Sequence, residues 1–114
     1  MSKLRANRLA EQIKKEISFV ISTKVKSYNL GFITITDVNM TADYSQAKVY
    51  YTIYGNDKEK ENVKKSLSKL KGFIKTEVSK KIKIRKFPEL FFEYDNTYEY
   101  AQKIENILSD LSKN

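Results

Sequence analysis

The residues with the clearest chemical capacity are lysines and arginines, and they are concentrated in one stretch. Residues 58–86 carry twelve of them against three acids, a local charge of +9, while the whole chain of 114 residues has a net charge of +8. Ammonium and guanidinium groups bind phosphate oxygens without making or breaking a covalent bond. A cluster of this kind favours a polyanion such as RNA as the partner.

The residue types used most often in catalysis are missing. The sequence has no Cys and no His, which excludes thiolate nucleophiles, Cys-ligated zinc and imidazole bases. A phosphoryl-transfer or nuclease enzyme is the alternative from a different class. It is disfavoured because the sequence has neither a glycine-rich phosphate loop nor clustered carboxylates for two metal ions. We therefore expect a binding protein with no catalytic residue, no metal and no cofactor.

Apolar spacing predicts the elements that position this charge. A helix from about Lys3 to Lys24 is indicated by the helical spacing of Leu9, Ile13, Ile17, Val20 and Ile21. The segments "FITITDVNM" and "QAKVYYTIY" predict two strands of a hairpin. In the second strand Val49, Tyr51 and Ile53 alternate with Lys48, Tyr50, Thr52 and Tyr54, so one face of it should be buried.

A basic helical region follows, and it contains a glycine. Asn56 and Glu59 have the spacing of a capping box. Beyond them an apolar stripe runs to Leu70 and resumes after Gly72. Because glycine costs about 1 kcal/mol relative to alanine inside a helix, we predict that Gly72 separates two helices set at an angle. An ordinary helix C-cap at Gly72 is the structural alternative.

The C-terminal part predicts a strand and a last helix. Pro88 closes the helical region, and "ELFFEYDN" alternates as a third strand. We expect Phe73, Phe91 and Phe92 to lie in the core. The last helix, from about 97 to 112, is predicted to bury the apolar residues Ala101, Ile104, Leu108 and Leu111.

This order of elements predicts one α+β domain over residues 1–114. The order is helix, strand, strand, helix, helix, strand and a C-terminal helix. A strand that returns to its sheet through helices makes a parallel crossover, so the helices should cover one face of a three-stranded mixed sheet. This is the topology of a type II KH domain, which is a nucleic-acid-binding fold.

Three segments carry a resemblance to a known family. The stretches "RLAEQIKKEIS", "LGFITITDVNMTADYSQAKVYYTIY" and "LKGFIKTEVSKKIKIRKFPELFFEYDN" resemble bacterial ribosome-binding factor A across nearly the whole chain. In that family an interhelical kink, reading alanine, any residue, glycine, replaces the usual KH loop. The corresponding residues here are Leu70, Lys71 and Gly72, so the glycine is kept and the alanine is replaced.

The resemblance implies an assembly factor that is not an enzyme. It implies association with the small ribosomal subunit and its RNA, assistance in late RNA maturation including the 5′ end region, growth after cold shock, and release by a ribosome-dependent GTPase. The basic residues expected to hold RNA phosphates are Arg5, Arg8, Lys64, Lys65, Lys69, Lys71, Lys75, Lys80, Lys81, Lys83, Arg85 and Lys86.

Two further readings of the basic helices stay open. A stand-alone KH-type RNA or DNA binder, acting without ribosomes, would share the fold and the charge. Binding to an anionic membrane surface is disfavoured because the apolar stripes are needed for the core. The sequence has no signal-peptide core, no membrane span and no heptad pattern that requires a dimer, so we expect a cytoplasmic monomer without a membrane partner.

Overall fold

The computed structural model describes residues 3–24 and 32–112. Their elements are α1 (Lys3–Thr23), β1 (Phe32–Met40), β2 (Gln46–Tyr54), α2 (Asp57–Lys81), β3 (Glu89–Tyr94) and α3 (Thr97–Ser112). The predicted strands and terminal helices are confirmed within one or two residues.

The three strands form one mixed sheet in the order β1, β2, β3. β1 and β2 pair antiparallel, whereas β2 and β3 pair parallel with Ala47 opposite Leu90 and Tyr51 opposite Tyr94. One cluster of buried residues joins α1 and α2 to this sheet, including Ile13, Ile74 and Val49. The predicted α+β class, with helices packed on a three-stranded mixed sheet, is confirmed.

A bulge in β1 changes which face of the strand its alternate residues occupy, so that apolar residues before and after the bulge both reach the core. Ile35 pairs with Tyr51 and Asp37 pairs with Tyr50, so Thr36 is the extra residue. Ile35 and Val38 are consequently both buried, although they are an odd number of positions apart. The Thr36 hydroxyl donates a 2.7 Å hydrogen bond to Asp95 Oδ2, which connects the bulge to the residue after β3.

The prediction that Gly72 separates two helices is wrong, because α2 is continuous from Asp57 to Lys81. The helix is unbroken through Leu70, Lys71 and Gly72. The apolar stripe keeps helical spacing across the glycine, and α2 buries Val63, Leu67, Leu70, Ile74 and Val78. Each such side chain contributes about 1.5–3 kcal/mol when fully buried, which outweighs the cost of one glycine, about 1 kcal/mol.

The start of α2 is fixed by hydrogen bonds between residues three positions apart. Asn56 Oδ1 accepts a 2.8 Å hydrogen bond from the Glu59 N–H, and Glu59 Oε1 accepts one of 3.2 Å from the Asn56 N–H. This is the predicted capping box, with both hydrogen bonds present. The helix ends well before Pro88, and residues 82–88 connect it to β3 without helical structure.

Gly72→Ala is expected to raise the free energy of unfolding by about 0.5–1 kcal/mol. Gly72 is exposed in the helix interior, and a Cβ added there would meet no atom within 4 Å. Thermal or urea unfolding measures the change. Gly55→Ala is the matched control and should destabilise, because Gly55 has φ +152° and its Cβ would lie 3.1 Å from the Glu59 side chain. A loss of stability in Gly72→Ala would contradict a continuous helix.

The predicted burial of the α3 stripe is also wrong. Ile104, Leu108 and Leu111 are 40%, 60% and 66% exposed, and Ile107 is 53% exposed. The side chain of Ala101 lies outside the described residues. The buried face of the sheet is already covered by α1 and α2. The helical spacing of apolar residues in α3 correctly identified its apolar side, but it could not show whether another element packs against that side.

Candidate nucleic-acid interface

One flank of α2 lies beside the edge strand β3, and its lysines meet the side chains of that strand in order. Lys75 Nζ is 2.8 Å from Glu89 Oε2, and Lys71 Nζ is 4.9 Å from the centre of the Phe91 ring. Lys64 and Lys60 then place their Nζ atoms 4.8 and 5.8 Å from the centre of the Tyr94 ring. From Glu89 to Tyr94 along β3, the contacting lysines run from Lys75 back to Lys60. The strand β3 and the helix α2 are therefore antiparallel.

We call Lys60, Lys64, Lys71 and Lys75 the lysine row. Helical geometry of about 100° per residue puts these four on one side of α2, next to the buried stripe. A groove of about 290 Å³ lies along the row, lined among others by Lys64, Lys71, Ser68, Phe91 and Phe92. It combines ammonium groups, which attract phosphate, with aromatic rings on which bases stack.

Contacts within the row are weak enough to be exchanged for phosphate. Lys75 and Glu89 are 34% and 51% exposed at their side chains, and Lys64 reaches Glu61 only at 4.0 Å. The hydrogen bond from Lys75 lowers the pKa of the Glu89 carboxyl. Exposed ion pairs of this kind contribute about 0–1 kcal/mol, so an RNA phosphate can replace the carboxylate at little cost.

The other predicted RNA-binding residues of α2 lie away from this groove. Lys65, Lys69 and Lys80 are exposed, and their helical positions place them on the side facing away from the sheet. Lys80 is 3.7 Å from Glu77, whose closer partner is Lys24, the residue after α1, at 3.2 Å. The Lys24 hydrogen bond lowers the pKa of Glu77. Lys81 is the exposed last residue of the helix.

A second group of predicted residues comes together near the start of α1. Lys83, Arg85 and Lys86 are exposed in the connection between α2 and β3. Ile84 of the same connection lines a cleft with Arg5 and Arg8, both exposed on α1. The fold therefore brings the two arginines next to the basic connection, although more than seventy residues separate them in the chain.

Sequence reasoning missed Lys60 of the lysine row and the two aromatic residues of β3 that the row contacts, Phe91 and Tyr94. The signal for Lys60 was its helical spacing of four from Lys64. Phe91 and Phe73 were expected in the core, but they are 39% and 42% exposed. Phe92 is partly buried and packs against the core, as predicted.

The carboxylates with hydrogen-bond or ion-pair partners serve turns, the cap of α2 and ion pairs. Asp43 Oδ1 accepts hydrogen bonds from the Ser45 N–H and hydroxyl and from the Thr41 hydroxyl, which lower the pKa of Asp43 to about 2. Asp95 accepts from the Thr97 N–H and from Thr36. Among these residues no group of three or more His, Cys, Asp or Glu side chains is placed to hold a metal ion, nor is any helix long and apolar enough to cross a membrane.

A three-stranded mixed sheet with two helices on one face, and a lysine-lined groove along its edge strand, places this chain among small α+β proteins of the KH-like type. Within that class the chain belongs to the ribosome-binding factor A family, whose model matches residues 5–108. The family assignment confirms the resemblance seen in the sequence.

Solved structures show the same fold. Ribosome-binding factor A from Thermus thermophilus is 20% identical, with a TM-score of 0.68 over 78% of this chain and 94% of that one. A candidate ribosome-binding factor A from Thermotoga maritima is 24% identical, with a TM-score of 0.65 over 82% of this chain and 89% of that one. A homology model of the Thermus thermophilus factor, fitted into a cryo-EM map of its 30S complex, is 19% identical with a TM-score of 0.64, over 79% and 94% of the two chains.

Proposed function

We propose that this protein binds the small ribosomal subunit and its immature RNA, and that it assists late assembly of that subunit. The observation that carries the proposal is the lysine row of α2 beside the aromatic side chains of β3. Family membership supports the ribosomal partner. The Thermus thermophilus relative fitted into a map of a 30S complex supports the small subunit in particular.

The mechanism is binding without covalent chemistry. Phosphates of a single-stranded or distorted RNA segment replace Glu89 at Lys75 and contact Lys64 and Lys71, while an unstacked base lies against the exposed Phe91 ring. Electrostatic contacts of this type position the RNA, and stacking adds affinity without demanding one base sequence. The protein then holds one arrangement of the RNA while neighbouring parts of the subunit mature.

The more specific steps extend the same proposal. The RNA processed late includes the 5′ end region, a ribosome-dependent GTPase assists release, and the factor supports growth after cold shock. Residues 1–114 act as one RNA-binding domain, monomeric and cytoplasmic. The remaining basic residues, Arg5, Arg8, Lys65, Lys69, Lys80, Lys81, Lys83, Arg85 and Lys86, extend the positive field around the groove.

Sedimentation separates this function from the stand-alone KH-type binder. Tagged protein should co-sediment with small subunits, and more with immature than with mature ones. Chemical footprints on the subunit RNA then locate the contact. Equal affinity for unrelated free RNA and for small subunits would favour the stand-alone binder.

Binding should be strongly salt-dependent. If Lys64, Lys71 and Lys75 each neutralise a phosphate, affinity is expected to fall roughly twentyfold to fortyfold between about 0.05 and 0.2 M salt. Counterions released on binding are the reason, since each contact returns about one cation to the solvent. Affinity for purified small subunits across a salt series measures the slope. A flat response would remove the phosphate-based mechanism.

A further inference from the structure

A second cleft lies between the start of α1, the β1–β2 turn and the connection after α2. Its volume is about 660 Å³, within the range of small-ligand sites. We call it the Tyr44 cleft. The residues that define it are Arg5, Arg8, Leu9, Gln12, Tyr44 and Ile84. Its lining combines the apolar side chains of Leu9 and Ile84 with two arginines.

Tyr44 has two unfavourable features that the fold leaves unexplained. Its φ is +62°, a left-handed conformation that side-chain-bearing residues seldom adopt. Its hydroxyl oxygen is buried and has no hydrogen-bond partner among the described residues. Buried polar atoms are normally hydrogen-bonded, and one that is not lowers stability. A glycine or asparagine would fit the same turn without either cost.

The turn holds Tyr44 firmly in this position. The Tyr44 N–H donates to the Thr41 carbonyl at 3.0 Å. Asp43 Oδ1 accepts from the Ser45 hydroxyl at 2.7 Å and from the Thr41 hydroxyl at 2.9 Å, so both sides of the turn are tied to one carboxylate. The backbone of Tyr44 is therefore fixed beside the first turns of α1, whose residues line the same cleft.

We propose that the Tyr44 cleft binds one unstacked nucleotide of RNA, an inference that rests on the proposed RNA-binding function. The base packs between Leu9 and Ile84, moves aside the groups that cover the Tyr44 hydroxyl in the free protein, and receives a hydrogen bond from that hydroxyl. The adjoining phosphates contact Arg5 and Arg8. RNA is commonly read in this way, through splayed bases held by apolar and aromatic side chains with polar groups at their edges.

The charges of the cleft favour a nucleotide over a simple anion. Glu11 also lines the cleft beside the two arginines. This carboxylate partly offsets the attraction of the two arginines for a bare polyphosphate, whereas the exocyclic amino group of a base can donate a hydrogen bond to it. Asn7 supplies both a donor and an acceptor to the same lining.

Nuclear magnetic resonance titration of the full chain with a single-stranded adenine ribopentamer tests the site. The backbone amide signals of Tyr44 and Arg8 should shift and saturate. Tyr44→Phe removes only the hydroxyl and should weaken the pentamer about fivefold to tenfold, as expected for one hydrogen bond. Its melting temperature should stay equal or rise, because a buried unpaired polar atom is removed. Tyr54→Phe, at an exposed tyrosine of β2, is the control and should change neither quantity.

Three results would overturn the site. They are no saturable shift at Tyr44, the same shift with inorganic tripolyphosphate, and a Tyr44→Phe variant that binds the pentamer normally, whatever its melting temperature. Small-subunit sedimentation is scored separately. If it persists without a Tyr44 shift, only the cleft is refuted, and if it fails while the shift saturates, the ribosomal function is refuted and the cleft stands.

Discussion

Replacing Lys64, Lys71 and Lys75 together by glutamine is expected to weaken binding to small ribosomal subunits by about two orders of magnitude. At about 0.15 M salt each phosphate contact contributes roughly fivefold through counterion release, so three contacts multiply to this size. The slope of log affinity against log salt should become shallower by about three. Equilibrium binding to purified subunits at several salt concentrations measures both quantities.

A control with the same charge change makes this result specific. Lys65, Lys69 and Lys80 lie on the same helix but away from β3, and their replacement by glutamine also lowers the net charge by three. That variant should lose only a few-fold in affinity, because these lysines act through the long-range field. Both triple variants should melt close to the original protein, since exposed lysines contribute little to folding. Equal losses of affinity would indicate diffuse attraction instead of a groove.

Ile74→Ala is expected to lower the free energy of unfolding by about 2–5 kcal/mol, while Ile107→Ala should change it by less than about 0.5 kcal/mol. Ile74 is completely buried on the inner side of α2, so truncation removes apolar contacts and leaves a cavity. Ile107 is 53% exposed on α3 and loses little. For a domain of this size the first change is a large share of the total stability.

Urea unfolding of both variants provides the comparison. The two residues have the same type and both sit on an apolar helical stripe, so the pair isolates the effect of burial. A loss of several kcal/mol in Ile107→Ala would show that α3 packs against the rest of the protein, as its sequence pattern predicted.

Several features were predictable because they depend on near neighbours in the chain. The capping box of Asn56 and Glu59 needs only residues three apart. The buried alternation of Val49, Tyr51 and Ile53 follows from the two-residue period of a strand. The family resemblance is a property of the sequence as well, and the match over residues 5–108 confirmed it.

Gly72 and α3 show where local reasoning failed. At Gly72 the intrinsic cost of glycine competed with burial of Leu70 and Ile74 against distant elements, and burial was the larger free energy. In α3 the spacing of Ile104 and Leu108 identified an apolar side, but periodicity contains no information about whether another surface covers it. Both outcomes depend on contacts between residues far apart in the chain.

The sequence by itself determined the family, the strands, the basic charge and the absence of His and Cys, because each is carried by residue types or by short-range periodicity. Only the tertiary structure decided which lysines form a row. Lys64, Lys71 and Lys75 face Tyr94, Phe91 and Glu89 because β3 returns parallel to β2 and lies along α2. Lys65 and Lys69 have the same charge and belong to the same segment, but helical geometry turns them away from that strand. Charge is a property of composition, whereas a groove requires two elements that the fold brings together.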